Sequence, residues 1–75
     1  MIKILDKEYS LNNILCVGYK NARGNYEIIS GRVYDYDKNF VHLDCSYDFW
    51  QLEDVIRIKR EDIKYCVRTD NEMWR

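Results

Sequence analysis

Nowhere in this 75-residue chain is there a run of about 20 apolar residues, and its first residues lack the layout of an export signal. Neither membrane insertion nor secretion is expected. Cysteine is scarce and odd in number. Cys16, Cys45 and Cys66 stand too far apart for a paired zinc motif and are too few for a disulfide framework. A reduced, cytoplasmic setting follows. Gly, Ala, Arg and Pro together number 10, against 31 residues of Phe, Tyr, Met, Ile, Asn and Lys. That skew points to AT-rich codons, as in a low-GC bacterium or its phage, and suits a short phage or mobile-element protein. Length is itself a shortage. A chain of this size buries only about 60% of the surface its unfolded form exposes, which leaves a thin core and no deep substrate cavity.

What the chain does have is alternation. Ile2 and Ile4 alternate with polar neighbours, as do Ile29, Gly31 and Val33, then Val41, Leu43 and Cys45, then Ile56 and Ile58. A period of two marks half-buried strands. Turn-forming clusters separate the runs, at residues 6–7, 21–25, 35–39, 46–48 and 60–62. Strands are expected at residues 2–5, 9–11, 14–20, 26–34, 40–45, 49–52, 55–59 and 63–68. Closely spaced short strands predict a single mainly β domain over residues 1–75, a small antiparallel barrel of the SH3/Sm-like kind. Two stretches also fit a short helix. Ser10 to Asn13 resembles a helix cap, and Leu52, Val55, Ile56, Ile63, Cys66 and Val67 fall near one face at about 3.6 residues per turn. The β-branched and aromatic content of the second stretch favours strand.

The segment Ile29-x-Gly31-x-Val33-x-x-x-Asp37, followed by alternating Phe40 to Leu43, resembles the first motif of Sm-like proteins. Ile56-Arg57 followed by Ile63 is similar to their second motif. The resemblance implies a small barrel in which a glycine lets a strand bend and an acidic residue closes the next turn. It departs where those proteins contact RNA, since Val41 stands where their base-contacting asparagine would be and Ile58 replaces a glycine. Tyr19-x-Asn21-x-x-Gly24, with Leu43 and the run from Phe49 to Ile58, also resembles the WYL domain, a ligand- or nucleic-acid-sensing barrel, although its Trp-Tyr-Leu signature is absent.

Little in the chain suggests chemistry. His42 shares a strand face with Phe40 and Asp44, so Asp44 could orient it as a base, but no serine or cysteine stands beside it as nucleophile. Cys45 points to the opposite side, which breaks up a metal set of His42, Asp44 and Cys45. No catalytic residue, metal or cofactor is expected.

Charge is more informative than its net value of −1. Residues 1–33 sum to +2, residues 34–54 to −5 and residues 55–64 to +2. The acidic block is interleaved with rings, and Tyr34, Asp35, Tyr36, Asp37, Asp48, Phe49 and Trp50 form the first candidate site. Carboxylates and rigid amphipathic rings suit a basic groove on a protein partner, which this chain would inhibit or regulate. Against this stands the plainer reading that the acids fill hairpin turns. The second candidate is a regulatory surface for single-stranded RNA or DNA, built from Arg57, Lys59, Arg60, Lys64 and nearby rings. A pI near 5.7 weighs against it. Trp74 and open sheet edges make a homo-oligomer the third reading.

Overall fold

The computed structural model describes residues 1–46 and 52–69. Seven strands follow one another: β1 Ile2–Ile4, β2 Lys7–Tyr9, β3 Ile14–Lys20, β4 Tyr26–Tyr36, β5 Phe40–Asp44, β6 Val55–Lys59 and β7 Ile63–Arg68. A single 3₁₀ turn, Arg60–Asp62, links β6 to β7. From Val55 onward the stretch that also fits a helix is therefore two strands around one tight turn. All pairings are antiparallel. β1 and β2 form a separate hairpin, and the other five strands form a sheet in the order β6-β5-β4-β3-β7. Strands β3 to β6 meander, then β7 returns to the free edge of β3. That leaves β6 and β7 at the ends of the sheet, with no ladder joining them among the described residues.

The turns follow from their residues. Leu5 and Asp6 both take positive φ, giving a two-residue turn whose twist matches its strands. That turn makes the hairpin tighter than the period-two pattern suggests. The second strand is Lys7–Tyr9, not residues 9–11, and Leu11 lies exposed in the following turn. There Asn13 Oδ1 accepts from the Ser10 N–H at 2.8 Å, so Ser10 to Asn13 is a turn and not a helix start. Between β3 and β4, Asn21 Oδ1 accepts from the N–H groups of Arg23 and Asn25 while Gly24 supplies φ of +83°. Of the strand expected at residues 49–52, only Leu52 lies within the described residues, outside any strand and at φ 56°.

The core gathers the inward set of the sheet, Leu15, Val17, Val33, Val41, Leu43, Ile58 and Ile63, beneath Ile2, Ile4 and Tyr9 of the small hairpin. Tyr9 donates its hydroxyl to the Cys66 carbonyl at 3.2 Å, tying the hairpin to β7. Burial and that bond push the Tyr9 hydroxyl up to about 12. Gly31 allows β5 to come close, because a Cβ there would lie 2.9 Å from Cys45 Sγ and 3.0 Å from the Asp44 carbonyl.

Two bulges set the faces. Val33 pairs with Leu43 but Asp35 pairs with His42, so Tyr34 is an extra residue in β4. Beyond it the alternation is reversed. Strict period two would put Tyr34 and Tyr36 on one side, whereas Tyr36 packs against the core and both Tyr34 and Asp35 are exposed. In β7, Tyr65 pairs with Gly18 and Ile63 with Tyr19, leaving Lys64 as the extra residue.

Candidate functional site

The face of the sheet away from the core has two differently built charged regions. The first is buried. Arg32 of β4 pairs in register with Asp44 of β5, and its guanidinium reaches Asp44 Oδ2 at 3.3 Å and Asn12 Oδ1 at 2.7 Å. Asp44 also accepts from the N–H groups of Ser46 (3.0 Å) and Leu52 (3.3 Å), while Ser46 Oγ accepts from the N–H groups of Glu53 and Asp54. With Cys45 donating its N–H to the Asp54 carbonyl at 2.9 Å, this network brings both ends of the β5–β6 connection together. Burial alone would raise the Asp44 carboxyl, but the bonds from Ser46, Leu52 and Arg32 outweigh it and hold the group below the ordinary carboxylate value. Asp44 thus keeps the strand face expected of it and is fully buried there. Its oxygens are occupied and do not orient His42, whose register neighbours are Asp35 and Arg57.

The second region is open. Phe40 opens β5 and faces Lys59 of β6 in register, and the Arg57 guanidinium lies 3.8 Å from the centroid of the Phe40 ring. Shallow grooves of about 370 and 350 Å³ run on either side of Phe40. Lys38, Lys59 and Arg60 line one, and Lys20, Arg57 and Lys59 line the other. Five cations therefore surround one ring, against the carboxylates of Glu61 and Asp62. Among the described residues, Lys20, Lys38, Arg57 and Lys59 form no ion pair. Arg60 differs. Its guanidinium donates to the carbonyls of Asp37, Lys38 and Lys3, and its N–H to the Asn39 carbonyl, so it braces the corner that frames the groove.

The structure divides the acidic, aromatic set. Asp37 turns the chain from β4 into β5, its Oδ1 accepting from the N–H groups of Asn39 and Phe40 at 2.8 Å each, which lowers its pKa. Asp35 accepts from the N–H of Tyr36 at 2.8 Å. Tyr36 faces the core, and Tyr34 and Asp35 stay on the surface. Asp48, Phe49, Trp50 and Trp74 lie outside the described residues. Of the basic set, Arg57 and Lys59 share the groove with Phe40, Arg60 frames it, and Lys64 stands in the β7 bulge.

Phe40, Lys20 and Lys38 were not among the residues singled out from the sequence. Lys20 and Lys38 are 19 or more positions from Arg57 and Lys59, and only strand register brings them together. An aromatic opening a strand opposite a lysine was the one local signal available. Burial, with help from Asp54 and Asp44, pushes the Cys45 thiol up to about 11, and burial raises Cys66. Among the described residues, no three His, Cys, Asp or Glu side chains are placed to hold a metal ion, and no helix is long and apolar enough to cross a membrane. Compared with known proteins, the chain matches no family model, no curated protein and no solved structure.

Proposed function

We propose that this protein is a non-enzymatic regulatory module, an SH3/Sm-like barrel that binds single-stranded RNA or DNA across the grooves beside Phe40. One observation carries this reading: the Arg57 guanidinium stacked on the Phe40 ring, flanked by cations that form no ion pair among the described residues. Cations that the fold does not use remain available to phosphates, and a ring among them offers a base a plane to stack on. The barrel assignment is supported by the return of β7 to β3, by the close approach of β5 at Gly31 and by the 3₁₀ corner before β7. The proposal involves no catalytic step. The AT-rich composition suits a regulator encoded by a low-GC bacterium or its phage.

The test is fluorescence anisotropy with labelled single-stranded RNA and DNA, at low and then near-physiological salt. Binding should weaken as salt rises, with a log–log slope near −2 for about three phosphate contacts. Charge reversal at Arg57 and Lys59 should weaken it by tenfold or more. Absence of binding to wild-type protein at low salt overturns the reading.

A second reading rests on the β4 bulge, which leaves Tyr34 and Asp35 side by side on the surface. An amphipathic ring beside a carboxylate suits a basic protein groove. Charge reversal at Asp35 would then abolish partner capture in a pull-down while leaving oligonucleotide binding intact.

A further inference from the structure

Three large side chains sit together on the outer face of β3, β4 and β7. Tyr26, Ile28 and Tyr65 are 55%, 61% and 45% exposed. Register gathers them, since Gly18 pairs with Ile28 on one side and Tyr65 on the other, and Lys20 pairs with Tyr26. Scattered exposed apolar residues are ordinary, but a contiguous group on a sheet face marks a contact site.

Gly18 makes the group possible. A Cβ there would collide with the Tyr26 ring and hydroxyl and lie 3.2 Å from Tyr65 Cβ. The Tyr26 ring therefore lies across β3 in space that only glycine leaves open, beside the base of Tyr65. The Tyr26 ring is thus held on the surface next to the strand position of Tyr65 before any partner arrives, which reduces the ordering cost of binding.

Charge selects the occupant. Lys20 flanks Tyr26 and Lys64 precedes Tyr65, while the outward positions of β3, of β7 and of β4 from Tyr26 to Arg32 carry no carboxylate. This face is cationic although the chain as a whole is net −1. Lys20 also lines the groove beside Phe40, so the face and the groove are continuous.

We propose that Tyr26 and Tyr65, set around Gly18, form a stacking platform for unpaired bases of the strand whose phosphates pass the Phe40 groove and cross Lys20. This proposal rests on the nucleic-acid reading and makes it more specific. Paired bases cannot stack on the platform, so it selects single strands. Each stacked base should contribute about tenfold in affinity.

Anisotropy with two labelled strands of about 12 nucleotides, one normal and one abasic with the same phosphates, provides the test. Wild type should bind the normal strand at least tenfold more tightly than the abasic one. The double variant Tyr26→Ser/Tyr65→Ser should bind both alike, near the abasic level. Should the serine pair not fold, Tyr26→Leu/Tyr65→Leu keeps the apolar surface, removes the aromatic planes and is read in the same way. Wild type binding both strands equally overturns the platform and leaves the groove reading standing. A base preference that survives in the ring-less variant also overturns it and gives the face to a partner of another class. Wild type binding neither strand at low salt overturns both readings.

Discussion

Arg32 and Arg57 lie two strands apart on the same side of one sheet, yet the fold uses them in opposite ways. Arg32 is 6% exposed, paired with a fully buried carboxylate and bonded to Asn12. Arg57 lies in the open on a phenylalanine ring and forms no ion pair among the described residues. A buried charge must be matched by its neighbours, so changing it reads out in stability. An exposed charge on a ring costs the fold little and stays available to a ligand, so changing it reads out in binding.

The largest expected effect tests the buried half. Asp44→Ala leaves Arg32 without its carboxylate partner and the N–H groups of Ser46 and Leu52 without their acceptor. It should cost about 3–5 kcal/mol in urea unfolding. Replacing both partners together, as Arg32→Met/Asp44→Leu, should cost clearly less, because no uncompensated charge stays buried.

Next comes the open half. Arg57→Glu/Lys59→Glu should weaken oligonucleotide binding by tenfold or more, as two phosphate contacts become repulsions. Its unfolding free energy should stay within about 0.5 kcal/mol of wild type. A large loss of stability in this variant would break the comparison.

Acid sharpens it further. The Asp44 carboxyl titrates below its ordinary value of 3.8 in the folded protein. Its contribution is therefore complete above the unfolded value and is lost as pH falls through the folded one. The stability gap between wild type and Asp44→Asn should stay flat from neutral pH to about pH 5 and shrink below about pH 4, measured as urea midpoints. No comparable gap is expected for Arg57→Gln.

The smallest effect belongs to Asp35. Its reversal to lysine should change stability by no more than about 0.5 kcal/mol and leave oligonucleotide affinity equal or slightly higher. A marked loss of oligonucleotide binding would move the site toward the acidic edge.

Much of the sheet was legible because its alternation is regular. Residues 14–20, 55–59 and 63–68 are strands with the expected limits. The hairpin at the start was misread because Leu5, an apolar residue that looks like a strand continuation, takes a positive φ in the turn. The β4 bulge was hidden for a related reason: nothing in Val33-Tyr34-Asp35-Tyr36 signals an extra residue, yet the bulge sends Tyr36 inward. The acidic block was visible as composition, but the capping role of Asp37 and the burial of Asp44 depend on which backbone N–H groups lie nearby. The platform was hidden still more deeply, since Tyr26, Gly18 and Tyr65 come from three strands.

By itself, then, the sequence determined a mainly β chain and the inward set of its main strands, because period two is a local property of the backbone. It also determined the supply of cations and rings. Tertiary structure decided which charges are consumed and which remain available. Arg32 meets Asp44, and Arg57 meets Phe40, through cross-strand register and bulges, which bring together residues remote in sequence by geometry that no local pattern encodes.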